Sequence, residues 1–100
     1  MISRDEAREL VQAEVDKFNQ NMDDDELVIC DNKTIERDFG WVFIYTSKRF
    51  LETGDYQHIP FGNAPIIVDK VDGTLHPTGT NRPVEEYIRA YENIKRGNRS

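Results

Sequence analysis

The feature that most constrains this chain is the run from Phe39 to Thr46, in which Trp41, Val42, Phe43, Ile44 and Tyr45 are consecutive apolar β-formers. Side chains alternate along a strand, so Trp41, Phe43 and Tyr45 share one face while Val42 and Ile44 share the other. A strand that is apolar on both faces needs cover on both sides. The run is therefore expected to be the central strand of a sheet.

The flanking segments supply partners for it. Ser3 followed by Glu6 fits a capping box, in which each side chain takes the other's free backbone N–H at a helix start. Ala7, Leu10, Val11, Val15, Phe18 and Met22 then recur at spacings of three and four, which predicts an amphipathic helix over about residues 3–20. Asn19 to Asp25 is expected to be a turn, Glu26 to Asp31 a strand, and Asn32 to Asp38 a connection. Ser47 to Asn63 reads as one long ordered loop carrying Phe50, Leu51, Tyr56, Ile59 and Phe61. Ala64 to Lys70 is a third strand, Asp72-Gly73 a tight hairpin turn, and Thr74 to His76 the returning strand, which Pro77 ends at a sheet edge.

Pro83 suits the first turn of a second helix reaching about Ile94, with Val84, Tyr87, Ile88 and Tyr91 on one face. Glu85 with Arg89 and Glu92 with Arg96 are spaced four apart to pair on that helix, and Gly97 to Ser100 should fray. At 100 residues the chain is expected to form one domain, residues 1–100. Helix, four strands, helix is most economically a two-layer α+β domain, an antiparallel sheet of about four strands with the N-terminal and C-terminal helices packed on it.

Charge narrows the functional classes. The net charge is −6, and residues 1–26 carry all of the excess, with nine acids against three bases. The remaining residues balance at ten acids and ten bases. Such a field repels nucleic acid and favours a basic protein partner, which makes Asp16, Asp23, Asp24, Asp25 and Glu26 candidate contact residues. A solvated acidic helix face that keeps the protein in solution is the plainer reading of the same residues. No apolar run exceeds the five residues Trp41 to Tyr45, whereas a membrane span needs about 20, so neither a membrane span nor a secretory signal is expected. The single cysteine, Cys30, makes no internal disulfide, and the expected compartment is the cytoplasm.

Little in the chain carries catalytic chemistry. Cys30, His58 and His76 are too far apart in sequence for a zinc motif, and the run Asp23 to Glu26 lacks the alternating ligands and glycine of a calcium loop. Cys30 sits within an apolar strand, which suits a core thiol better than a nucleophile. Gly54, Gly62, Gly73 and Gly79 form no phosphate-binding spacing. The expectation is a non-enzyme without catalytic, cofactor-binding or metal-ligating residues; an enzyme would require a pocket that gathers His58, His76 and carboxylates. If one sheet face lacks a helix, Trp41, Phe43 and Tyr45 would form an exposed apolar patch of the kind that marks a protein interface.

The strings Gly40-Trp41-Val42-Phe43, Phe50-Leu51-Glu52-Thr53-Gly54-Asp55, Gly62-Asn63-Ala64-Pro65-Ile66-Ile67-Val68-Asp69, Gly79-Thr80 and Pro83-Val84-Glu85-Glu86-Tyr87 follow one another in order. Together, over about residues 39–91, they resemble the YrhB-like family, also called immunity protein 35. The resemblance implies a small bacterial α+β protein of polymorphic-toxin systems that neutralises a cognate toxin by binding it, without cofactor or catalytic residues. It also implies an alternative, a heat-stress, chaperone-like holdase that shields unfolded clients through the Trp41 face or the 47–63 loop. Asp55, within the second string, joins the candidate partner contacts. A monomer or weak homodimer is expected, because Pro77 and nearby charges blunt the sheet edge.

Overall fold

The computed structural model describes residues 1–20, 26–54, 64–79 and 82–97. The first helix, α1 (Arg4–Asn19), starts where the capping box predicts, with Ser3 and Glu6 bonded reciprocally. Ala7, Val11 and Val15 are fully buried, so the packed stripe runs at a spacing of four. Leu10 and Phe18, expected in that stripe, lie at its margins and are 40% and 43% exposed. Asn19 closes the helix by pinning the next strand, accepting from the Leu27 N–H at 2.7 Å and donating to the Leu27 carbonyl at 3.1 Å.

The strands β1 (Leu27–Ile29), β2 (Ile35–Arg37), β3 (Gly40–Phe43) and β4 (Tyr45–Ser47) arise from one interrupted hairpin. β2 pairs antiparallel with β3, Ile35 opposite Val42, and β1 pairs with β4, Ile29 opposite Tyr45. One arm advances six residues from Ile29 to Ile35 while the other moves three from Tyr45 to Val42, so three residues are in excess. They loop out as the 3-10 turn Asp31–Lys33, and Cys30 N–H donates to the Ile44 carbonyl beside it. The expected single strand from Phe39 to Thr46 is thus divided at Ile44, and the expected connection from Asn32 to Asp38 contains β2. β2 holds only one apolar residue, so its pairing with β3 rather than its composition makes it a strand.

The segment expected to be all loop begins instead with a short helix, α2 (Lys48–Thr53). Ser47 caps its start by accepting from the Phe50 N–H, and Gly54 in the left-handed region ends it. The rest of that loop, from residue 55 to 63, lies outside the described residues, as do residues 21–25 of the first turn and 98–100 of the C-terminus.

β5 (Ile66–Asp69) and β6 (Leu75–Pro77) complete a four-stranded sheet in the order β2-β3-β5-β6, while β1 and β4 form a two-stranded one. The β5–β6 turn is longer than the tight pair expected at Asp72-Gly73. Asp69 and Thr74 bracket it, and the Gly73 N–H donates to the Asp69 carbonyl. Pro77 sits in the edge strand, as expected. The Thr78 N–H donates inward to the Pro65 carbonyl, so alternation turns residue 77 outward, where proline offers a neighbouring chain no N–H.

The last helix, α3 (Val84–Gly97), lies on the opposite face of this sheet from α1. Trp41, Phe43, Ile66 and Val68 face Ala7, Val11 and Val15 of α1; Val42 and Ile67 face Ile88, with Val84 and Tyr91 alongside. The α+β class and the two helices packed on an antiparallel sheet are as expected, but the two layers expected are three: the sheet lies between the helices because its central strands are apolar on both faces. Glu85 does not wait for Arg89: it pairs with Arg37 of β2 at 3.2 Å, tying the start of α3 to the opposite sheet edge.

Gly40 is tightly enclosed by the neighbouring strand. It adopts φ 147°, and a Cβ there would overlap the Val68 carbonyl oxygen across the ladder. Gly54 also has positive φ, at 71°, yet nothing lies near where its Cβ would stand. Gly40→Ala should therefore cost more than about 3 kcal/mol or prevent folding, against about 1–2 kcal/mol for Gly54→Ala. Urea unfolding of both variants checks the ordering, and equal losses would contradict it.

Candidate functional site

Among the described residues, two surfaces are candidates for a functional site. On the first, α1 presents Asp5, Glu6, Glu9 and Asp16 to solvent, with half-buried Glu14 paired to Lys17 at 3.2 Å. Asp16 accepts from the Gln12 amide at 2.9 Å, and Glu26 is exposed just before β1. Asp23, Asp24, Asp25 and Asp55 lie outside the described residues.

The aromatic stripe is not a surface. Trp41, Phe43 and Tyr45 are all buried beneath α1, whose Ala7, Val11 and Val15 cover the face on which they stand. The condition for an exposed patch, a bare sheet face, is therefore not met. Phe18 stacks on Tyr45 with ring centroids 6.1 Å apart, and burial raises the Tyr45 phenol above its usual range.

The second surface is a cleft of about 550 Å³ between α3 and the β5–β6 hairpin. It forms where the buried stripe of α3, seated over β2, β3 and β5, passes the edge strand β6, which α3 meets through the contact between the Tyr91 and His76 rings. At its floor is Asp69, the one charged side chain among the described residues that is buried. Asp69 ends an otherwise apolar strand on the α3 face and accepts from three donors. Tyr91 Oη lies at 2.6 Å, Lys95 Nζ at 2.8 Å and the Val71 N–H at 2.9 Å. Tyr91 and Lys95 are four apart on α3, so one carboxylate holds two successive turns of the helix against the hairpin.

The surroundings fix Tyr91 further. Its ring meets Phe39 edge-on at 4.9 Å and lies 5.0 Å from the His76 ring. His76 Nε2 is 2.7 Å from the Thr74 hydroxyl, which in turn donates to Asp72. Burial alone pushes the Asp69 carboxyl up, but the hydrogen bonds from Lys95, Tyr91 and Val71, with the Lys95 charge, outweigh it and bring it down to about 2. Burial and the Asp69 hydrogen bond raise the Tyr91 phenol. Near neutral pH the acid is thus held ionised and the phenol protonated. Such locked protons suit a structural clamp better than acid–base exchange.

His76 does gather with two carboxylates, Asp69 and Asp72, around the cleft, while His58 lies outside the described residues. Among the described residues no group of three His, Cys, Asp or Glu side chains is placed to hold a metal ion. No described helix is long and apolar enough to cross a membrane.

Comparison with known proteins places the sequence in a family. The family model of immunity protein 35 matches residues 5–91, which extends the likeness back from the strand region through the first helix. The chain belongs to the immunity protein 35 family. It is also 41% identical over 76 residues to the uncharacterized protein YrhB of Escherichia coli (strain K12), covering 76% of this chain and 81% of that one. No solved structure matches. The matched span in this family member includes β3, β5 and Asp69, Tyr87 and Tyr91 of the cleft.

Sequence reasoning did not find the Asp69, Tyr91 and Lys95 clamp. Its signal was present: a lone acid closing the apolar strand Ile66 to Asp69, and a Tyr and Lys four apart on the face of a helix otherwise facing the core.

Because the folded Asp69 carboxyl titrates at about 2 against an ordinary 3.8, it stabilises the fold fully above pH 3.8 and loses that contribution as pH falls through 2. The contribution is about 2 kcal/mol. Asp69→Asn should be less stable than the parent by about that amount at pH 7, with the gap closing between pH 4 and pH 2. Urea midpoints at both ends test this, and a gap that does not change with pH would contradict an ionised clamp.

Proposed function

We propose that this protein is a bacterial immunity protein that binds and neutralises a cognate toxin by direct protein–protein contact. The observation that carries the reading is membership of the immunity protein 35 family over residues 5–91. Family membership implies a protein partner. The confinement of the net charge of −6 to residues 1–26 supports one with a basic surface.

In this reading the acids of the first helix and the following turn, Asp16 and Asp23 to Glu26, steer the partner into contact. Complementary charge raises the encounter rate more than it deepens the complex. The toxin would belong to a polymorphic-toxin system, and the protein would act in the cytoplasm as a monomer or weak homodimer without cofactor or metal. The holdase alternative depended in part on an exposed Trp41 face, and those rings lie in the core.

The test is co-expression with the product of the adjacent gene in a growth assay. Growth arrest by that product alone, relieved by this chain, is the expected result; an unrelieved arrest together with suppressed aggregation of several unrelated proteins would favour the holdase instead. With the partner in hand, a variant carrying Asp16→Asn, Asp23→Asn, Asp24→Asn and Asp25→Asn should associate about tenfold more slowly at low salt, with little change in dissociation. Association as fast as the parent's would remove the acidic face from the account.

A further inference from the structure

The cleft between α3 and the β5–β6 hairpin is built in a way that the acidic helix does not explain. We propose that it receives one basic side chain, lysine or arginine, of the protein partner, an inference that rests on the immunity reading above.

Three observations carry it. The walls are Ile67, Pro77, Ala90 and Ile94 with the rings of Tyr87 and Tyr91, a lining that takes a methylene stem and stacks on a flat guanidinium. Ile94 stands 61% exposed on the rim, where an incoming stem would cover it. The charge is arranged for a cation: the Lys95 ammonium is already engaged at 2.8 Å by buried Asp69, whereas the Asp72 carboxylate lies exposed, held by the Thr74 N–H and hydroxyl of its own turn. Lys95 itself shows the chemistry that a carboxylate in this cleft accepts from its own chain. Finally, the geometry is fixed before binding. Asp69 ties the hairpin to Tyr91 and Lys95, and Thr74 orients Asp72, so little ordering remains for a partner to drive.

A basic anchor here fits the cleft's own balance of two carboxylates, Asp69 and Asp72, against one ammonium, Lys95, and would add a fixed register to a contact that the acidic helix only steers. An anion seated on Lys95 is the competing occupant, and it would share an ammonium whose charge Asp69 already offsets at 2.8 Å.

The experiment titrates the full-length nitrogen-15-labelled chain with N-acetyl-arginine amide and, separately, with N-acetyl-glutamate amide, following backbone amide shifts. The arginine compound should give saturable shifts at Asp72, Ala90 and Ile94, and the glutamate compound should not. Asp72→Asn, which keeps the oxygen that accepts from Thr74, should leave the spectrum folded and weaken arginine binding about fivefold. Shifts of equal size with glutamate, shifts confined to α1, or arginine binding that Asp72→Asn leaves unchanged would each overturn the proposal. The probe reads the cleft independently of any toxin. Seating of arginine in a chain that gives no growth protection would uphold the cleft and strike the immunity reading, while protection by a chain that does not seat arginine would do the reverse.

Discussion

One buried carboxylate sets the geometry of half this molecule. Asp69 stands at the end of β5 where every other side chain of the strand is apolar, and desolvation there would be costly without partners. It has three, and each comes from a different part of the structure: its own turn, one turn of α3 and the next. The apolar contact beneath α3 is small, with Phe39, Val42, Ile67 and Ile88 buried and Ile35, Val84 and Tyr91 at the margin. The carboxylate therefore adds a fixed polar tie to this small apolar contact. The cleft follows from the position of α3, because a helix held over β2, β3 and β5 meets β6 through the Tyr91 and His76 rings and leaves space beside them.

The other half of the molecule is organised by apolar patterning. β3 and β5 are buried throughout, so each sheet face needs a helix, and the order of the chain supplies one at each end. With both faces filled, the aromatic rings that a bare sheet would present are withdrawn into the core. Among the described residues, the polar chemistry left at the periphery includes the acids of α1 and the walled cleft beside α3. The contact mode proposed above is well served by such a middle layer, since its surfaces would be set before a partner arrives.

Much of this was legible in the residues. The capping box of Ser3 and Glu6, the two-faced run at Trp41, the edge role of Pro77 and the helix opened by Pro83 are local patterns with local causes, and they reappear where they were expected. The motif strings from Gly40 to Tyr87 also led to the family that the comparison finds. What was not legible depends on pairing across distance. β2 has too few apolar residues to announce itself, and the break at Ile44 exists only because the opposing arm carries three extra residues. α2 was hidden in a segment of mixed polarity whose cap, Ser47, reads equally well as the end of a strand. Asp69 read as one more acid until a strand, a turn and a helix brought its donors together, and Glu85 found Arg37 across the sheet rather than its neighbour on the helix.

The most direct test of this account is native-state hydrogen exchange of the α3 amides in the parent and in Asp69→Asn at neutral pH. If the carboxylate holds the helix over the sheet, the amides from Ile88 to Lys95 and those of the β5–β6 turn should exchange at least about tenfold faster in the variant, while the α1 amides over Ala7, Val11 and Val15 change far less. An equal acceleration of both helices would mean that Asp69 serves global stability alone. Unchanged α3 exchange would contradict the clamp and, with it, the fixed cleft.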